Sequence, residues 1–335
     1  MRAFVINEYK GPLQETDVPE PTVGDRDVLV HVMAAGLNQL DEKIREGEFK
    51  QILPYKLPII LGNDVAGTVI RTGSKVLGFK PGDEVYARPR KDRIGTFAER
   101  IAIAETDLAL KPASISLEEA GALPLVALTA WQALVERGNL QPGQKVLIHS
   151  GAGGVGSIAI QLAKHLGATV ATTASNSNAD FVRELGADTV IDYRGQDFEQ
   201  LLDGYDLVLD GLGGKNLGKS LRVLKPGGKA IGIAGPPDPS FARAAGLNPV
   251  LRLVIAGLSS GIRRQAKRLG VSYEFLFMRA SGDQLRQITA LIDNGALRPI
   301  VGQVFPFDET ARALQGLEKG GIRGKAVISH RRAEH

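Results

Sequence analysis

Two regimes of hydrophobic patterning divide the chain. Up to about residue 110, short apolar runs such as Asp27 to Ala35, Asp64 to Arg71 and Asp83 to Ala87 are broken by Gly, Pro and Asp. That pattern predicts a β-dominated domain. From Val146 onward, strands alternate with helices. Val146–His149, Thr169–Thr173, Thr189–Ile191, Leu207–Asp210, Lys229–Ala234 and Val271–Phe277 are expected to supply six strands of a doubly wound parallel sheet. The phrases LGAT at Leu166 and LGAD at Leu185 mark two helix-to-strand turns. Ser281-x-x-Gln284 has the form of a capping box opening a helix with Leu285, Ile288, Leu291 and Ile292 on one face, ended near Asn294-Gly295. The final HRRAEH reads as a mobile tail.

The loop GAGGVG, Gly151 to Gly156, has the spacing G-x-G-x-x-G. Alone it could be a glycine-rich turn, but its context is specific. The buried run Val146-Leu147-Ile148 precedes it, and a helix with Ile158, Leu162 and Leu166 at helical spacing follows, stopped by Gly167. Strand, loop, helix and strand within one short unit are what a dinucleotide fingerprint requires. A pyrophosphate carries negative charge to the free N–H groups of a helix N-terminus, and glycine lets the backbone approach it. Gly151, Gly153, Gly154, Val155 and Gly156 are therefore candidate cofactor contacts or helix-packing positions.

Composition narrows the class. A chain of 335 residues, 43% hydrophobic and 23% charged, fits a soluble protein of two domains, and no apolar run is long enough to cross a bilayer. The start MRAFVINEYKG shows no secretory h-region, and the lack of cysteine excludes disulfides, thiolate nucleophiles and cysteine zinc ligands. Both suit a reducing cytoplasm. A formal charge of +4 gives no ground for nucleic-acid binding, but from Pro239 to Gly270 there are six basic residues and no acid. Two readings stand for the segment 243–268. One is a basic amphipathic helix on an anionic membrane surface. The favoured one is a solvated helical cover beside a phosphate-bearing ligand.

Several phrases, in order along most of the chain, resemble the zinc-free quinone oxidoreductase branch of the medium-chain dehydrogenase/reductase superfamily. They are AAGLNQLDEKIREGEF, LGNDVAGTV, GFKPGDEVYA, GTFAER, GALPLVALTAWQAL, GAGGVGSIAIQLAKHLGA and LGADTVIDYR. The C-terminal phrases from ASGDQL to RGKAVIS are most similar to bacterial relatives of the reticulon-interacting mitochondrial oxidoreductase and of plant enone reductases. The resemblance implies an α/β fold, with a doubly wound parallel Rossmann sheet over 123–297 and a GroES-like β domain from 1–122 and 298–335. Zinc members of the superfamily hold their metal at positions that fall here at Asn38, Asn63 and about Leu125, with a proton-relaying hydroxyl at Leu40. A carboxamide is a poor zinc ligand and leucine is none. Zinc-dependent alcohol oxidation is accordingly disfavoured.

What the resemblance then implies is a nicotinamide beside an apolar pocket. That suits hydride delivery to a substrate already electrophilic by conjugation, a quinone or an α,β-unsaturated carbonyl. It puts Asn38 and Asp41 near the nicotinamide half, though Asp41 could equally be a helix-start residue. Tyr55 is a candidate hydrogen-bond or proton donor to substrate oxygen, or a wall. Thr129 and Gly235 are expected at the cofactor, with Thr129 otherwise bonding its own backbone; Arg323 and Lys325 are either phosphate contacts at the cofactor or surface charge, and Asp64 is expected to orient backbone. The five histidines form no ligand spacing, and His149 and His165 read as packing or solvent positions.

Cofactor choice turns on the end of the second strand. NAD-specific folds put Asp or Glu about twenty residues past the glycine loop. Here the chain continues Ala174-Ser175-Asn176-Ser177-Asn178, with the first acid at Asp180. Ser175 and Asn176, with Tyr193 and adjacent Arg194 by resemblance, are candidate contacts for the 2′-phosphate of NADP(H). The expected protein is a metal-free, homodimeric NADPH-dependent reductase of quinones or enones. The alternative is an NADPH-sensing or partner-binding protein with little turnover.

Overall fold

A computed structural model describes residues 1–51, 54–317 and 320–330. The chain forms two compact units, 1–128 with 279–335, and 129–278. Most of the expected tail, residues 331–335, lies outside the described residues, but His330 is held, its N–H donating to the Met33 carbonyl at 2.9 Å.

The first unit opens with β1 (Arg2–Ile6), β2 (Gln14–Asp17), β3 (Asp27–Gly36), helix α1 (Gln39–Arg45), β4 (Ile59–Ile60), β5 (Val65–Thr72), β6 (Glu84–Ala87), β7 (Arg100–Ala104), β8 (Leu108–Leu110) and helix α2 (Leu117–Gly121), and the chain leaves it within helix α3 (Pro124–Trp131). The ten-residue β3 is the organiser. It pairs antiparallel with β5, with β7 over Asp27–His31, and at its far end with the last strand of the chain. Its alternate residues Val28, Val30 and Val32 are buried in a core with Phe4, Leu61, Phe97 and Ile103.

The second unit is continuous. It comprises β9 (Lys145–Ile148), α4 (Gly154–His165), β10 (Thr169–Ala174), α5 (Ala179–Glu184), β11 (Thr189–Asp192), α6 (Phe198–Leu201), β12 (Tyr205–Asp210), α7 (Gly214–Arg222), β13 (Leu224–Gly232), α8 (Pro239–Ala244), α9 (Pro249–Leu258), α10 (Ser260–Arg268) and β14 (Ser272–Phe275). All six strands run parallel in the order β11-β10-β9-β12-β13-β14. This is the doubly wound order that reverses direction at the first strand and leaves a ligand crevice at the carboxyl ends of the strands there. β13 starts five residues earlier than expected, because Leu224 pairs with Tyr205 before a bulge.

The chain returns to the first unit through α11 (Gly282–Asp293), β15 (Val301–Pro306), α12 (Thr310–Gly316) and β16 (Lys325–Ser329). The Ser281 hydroxyl accepts the Gln284 N–H at 3.2 Å, and Leu285, Ile288 and Ile292 are buried. The seams of the units fall at 128/129 and 278/279 rather than at the expected 122/123 and 297/298. The reason for the second is packing: Tyr86 donates its hydroxyl to the Leu285 carbonyl, and a side chain at Gly282 would strike the Leu108 carbonyl at 2.2 Å.

Candidate active site

In the second unit the site begins at the carboxyl end of β9, where Val146, Leu147 and Ile148 are fully buried. Ser150 follows with φ +57°, in the left-handed region that side chains seldom occupy. Two glycines of the loop answer to packing. A Cβ at Gly151 would lie 2.2 Å from Thr172 Oγ1, and one at Gly156 would lie 2.3 Å from the Ser150 carbonyl. Gly153, by contrast, is the N-cap of α4, and no side chain caps the helix there. The first-turn amides of Gly154, Val155 and Gly156 have no intrahelical acceptor to bond. A helix N-terminus left open in this way is a cradle for an anion.

Beside the loop lies a relay that the sequence did not disclose. His149 is buried with its Nδ1 3.1 Å from Thr173 Oγ1 and its Nε2 3.0 Å from Ser220 Oγ, which donates to Asp210 Oδ2 at 2.7 Å. Burial holds the imidazole down to about 4, so it is neutral at physiological pH. Its role is to lock the ends of β9, β10 and β12, as the packing reading of His149 expects. Gly235 sits against the Tyr273 hydroxyl, which a Cβ would approach to 2.4 Å.

At the end of β10, Ser175 is buried. Its Oγ accepts from Asn178 Nδ2 at 3.2 Å and meets Ser177 Oγ at 3.0 Å. Asn176 is exposed. Tyr193 follows β11 in register, its N–H reaching the Ala174 carbonyl, with the Arg194 guanidinium over its ring. Ser175, Asn176, Tyr193 and Arg194 are thus brought to one edge of the sheet. Asp192 on the neighbouring strand turns an oxygen back to the Arg194 N–H. Thr129 is buried on α3.

In the first unit, Asn38, Asp41, Asn63, Asp64 and Lys325 form one buried polar cluster. Asn38 is the N-cap of α1, and Asp41 closes the turn by accepting the Asn38 N–H at 2.8 Å. The same carboxylate accepts Asn63 Nδ2 at 2.7 Å. Asp64 accepts Asn38 Nδ2 at 2.9 Å and the Leu125 N–H at 2.6 Å, so it does orient backbone. Lys325 drives its ammonium into the middle, donating to the Leu37 carbonyl, to Asn38 Oδ1 at 2.5 Å and to Asp64 Oδ2 at 3.2 Å. All three of its N–H donors are engaged, which leaves none for the cofactor phosphate expected of it. Arg323 is exposed in the loop before β16.

Arg88 and Tyr55 stand beside this cluster. Arg88 is fully buried, its Nη1 donating to the Pro89 carbonyl while Nε has no hydrogen-bond partner among the described residues. Nothing in the phrase YARPR marks an interior arginine. The Tyr55 hydroxyl donates to the Lys91 carbonyl at 2.7 Å, and burial pushes the phenol up to about 12.

Burial also pushes the Asp41 carboxyl up to about 7, against the Asn63 hydrogen bond, the Lys325 charge and the Asn38 N–H. A carboxyl raised above its unfolded value of 3.8 favours folding fully below that pH and loses its contribution as pH rises through 7. Buried His149 and His330, both held down to about 4, change stability in the opposite sense as pH climbs to their unfolded value. The difference between wild type and Asp41→Asn isolates the carboxyl. Urea unfolding across this range should show wild type losing a few kcal/mol relative to the variant, and parallel curves would contradict the assignment.

Residues 24–113 match the alcohol dehydrogenase GroES-like domain, and residues 185–328 match the zinc-binding dehydrogenase family. The chain is 37% identical to an NADPH-dependent alkenal/one oxidoreductase of Arabidopsis thaliana chloroplasts, over 98% of this chain and 79% of that one. It belongs to the medium-chain dehydrogenase/reductase superfamily. A mitochondrial NAD(P)H oxidoreductase RTN4IP1 of Danio rerio is 35% identical over 90% of this chain and 83% of its own. The quinone oxidoreductase structure from Coxiella burnetii superposes with a TM-score of 0.86 at 32% identity over 99% of both chains.

Zinc members of this superfamily pose a fit test, and the cluster fails it. Asn38 Oδ1 and Asp64 Oδ2 already accept the Lys325 ammonium, Asn63 directs its Nδ2 to Asp41, and Leu125 offers only a backbone N–H. A dication would have to displace a buried cation and coordinate carboxamides, which are weak donors for it. For a dinucleotide the outcome is the reverse. The uncapped amides of α4 and the hydroxyl-rich end of β10 fit an anionic ligand with a phosphorylated ribose.

Proposed function

We propose that the protein is an NADPH-dependent reductase that delivers hydride to a quinone or an α,β-unsaturated carbonyl without a metal. The observation that carries this reading is the open N-terminus of α4 together with a β10 that is followed by Ser175 rather than a carboxylate. Relatives named as alkenal/one and quinone oxidoreductases support the substrate class. Gly154, Val155 and Gly156 would hold the pyrophosphate through their amides, with Gly151 and Gly153 shaping the approach. Ser175, Asn176 and Tyr193, with Arg194, would take the 2′-phosphate and its ribose. Thr129, Gly235 and Arg323 complete the proposed cofactor contacts.

When bound, the nicotinamide supplies a hydride. The chain's own residues position the reactants and manage charge. Asn38 and Asp41 are fixed by mutual hydrogen bonds, so they need no rearrangement as charge develops on a substrate oxygen. Lys325 is assigned to that scaffold. Tyr55 keeps its proton at neutral pH and can offer it to a substrate oxygen by exchanging its bond to Lys91. Mixing the protein with NADPH and a panel of simple quinones and enals, and following nicotinamide absorbance, tests the reading. Oxidation is expected, and cofactor binding without oxidation across the panel would favour a sensing or partner-binding role instead.

The donor chemistry at Asn38, Asn63 and Leu125 supports metal independence. Chelators should leave activity unchanged and elemental analysis should find no stoichiometric zinc. One tightly held zinc per chain would overturn it. Among the described residues β14 pairs only with β13, at the edge of the parallel sheet. Such edges are commonly covered, and we expect a symmetric dimer through β14; a monomer by sedimentation at micromolar concentration would count against it. Among the described residues no helix is long and apolar enough to cross a membrane. The cysteine-free sequence supports placing the protein in a reducing cytoplasm.

A further inference from the structure

The helices that follow β13 combine two features seldom left in water together. On α9, Ile255 is buried, yet the outward arc beside it is also apolar: Val250, Leu253, Val254 and Leu258 are 71%, 75%, 51% and 66% exposed. At about 100° per residue these four, with Gly257, share an arc of roughly 140°. A helix apolar on both its inner and outer faces is one expected to be covered. The neighbouring α10 turns Ala266 and Ile262 to the core, and Arg263, Arg264, Lys267 and Arg268 occupy the other side of its wheel.

The charge is local and unneutralised. Pro239 to Gly270 holds Arg243, Arg252, Arg263, Arg264, Lys267 and Arg268 with no acid, six cations in a chain whose formal charge is +4, so the remainder is net acidic. Arg263 donates to the Ala256 carbonyl and Arg252 to the Leu247 carbonyl, tying the helices together. Arg243, Arg264, Lys267 and Arg268 form no ion pair among the described residues.

We propose that α9 and α10 dock the protein on an anionic lipid surface, with the α9 stripe entering the headgroup–acyl boundary and the α10 cations meeting lipid phosphates. An apolar stripe flanked by cations is the layering such a surface rewards. A second copy fits less well, because a two-fold contact sets the patch against itself and gathers both copies' cations into one interface with no acid from the same segment. The inference is independent of the reductase reading, since binding to a bilayer needs no turnover.

Flotation with vesicles of phosphatidylcholine, and of phosphatidylcholine mixed with phosphatidylglycerol, tests it directly. The full chain should float with the anionic vesicles about tenfold more than with the neutral ones, and less as salt rises. Leu253→Glu, and separately the pair Arg264→Glu and Lys267→Glu, should each cut binding about tenfold. Both sites are exposed, so circular dichroism and turnover of a water-soluble quinone should stay unchanged. No binding to anionic vesicles, or equal binding to both kinds, would overturn the proposal. So would a Leu253→Glu variant that floats normally but loses its self-association, which would assign the stripe to a chain–chain contact.

Discussion

Ser175→Asp is expected to reverse the cofactor preference from NADPH to NADH. In wild type, no carboxylate closes β10, and Ser175 is where the proposed reading puts the 2′-phosphate, with Asn176, Tyr193 and Arg194 on the same sheet edge. Charge-assisted hydrogen bonds contribute on the order of 1.5–3 kcal/mol each. One such bond favours NADPH by roughly ten- to a hundred-fold or a little more. An aspartate there repels the phosphate and accepts both ribose hydroxyls. The fold should tolerate it, because Ser175 is the N-cap of the short turn Asn176–Asn178, a position that aspartate suits. Dissociation constants for the two nucleotides, by titration on wild type and variant, decide the matter. If wild type binds NADH as tightly as NADPH and the substitution alters neither, this edge is not the phosphate site.

The second large effect is on stability. Lys325→Met removes an ammonium that is 7% exposed and lies 3.2 Å from a fully buried Asp64 carboxylate. Breaking one partner out of a buried pair costs about 3–5 kcal/mol, because the remaining charge is left without compensation. The methionine keeps the apolar stem, so packing changes little. Urea unfolding at neutral pH should show that loss, and adding Asp64→Asn to the variant should recover part of it by removing the stranded charge. A loss below about 1 kcal/mol, in the range of an exposed pair, would mean that solvent reaches the cluster.

How much of this could be read from sequence depended on range. The parallel strands, the glycine loop and the capped helix at Ser281 are written in local periodicity and neighbouring residue types, and they appear within a few residues of their expected bounds. Lys325 is different. Its local sequence leaves it as a phosphate contact or a surface charge, and only the pairing of β16 with β3 carries it to Asn38, 287 residues away. The burial of Arg88 and the partners of His149 were not legible for the same reason, since an interior cation or imidazole is defined by what surrounds it. The seam at 278/279 was missed because α11 has the pattern of any amphipathic helix, and its partner β8 lies far back in the chain. In 243–268 the composition was legible, but not which side of α9 would face water.

The pairing of β16 with β3 also sets an order of assembly. Asn38, Asp41 and Asp64 emerge from the ribosome well before Lys325, so on a growing chain two carboxylates wait without the ammonium that neutralises them. The 129–278 unit is continuous and can close while its predecessor in sequence is still incomplete, inverting the usual N-to-C order of domain folding. Until β16 arrives, the Ala34–Gly36 end of β3 presents free N–H and C=O groups, and it is at that end that the half-made protein offers itself to chaperones and to misplaced strands.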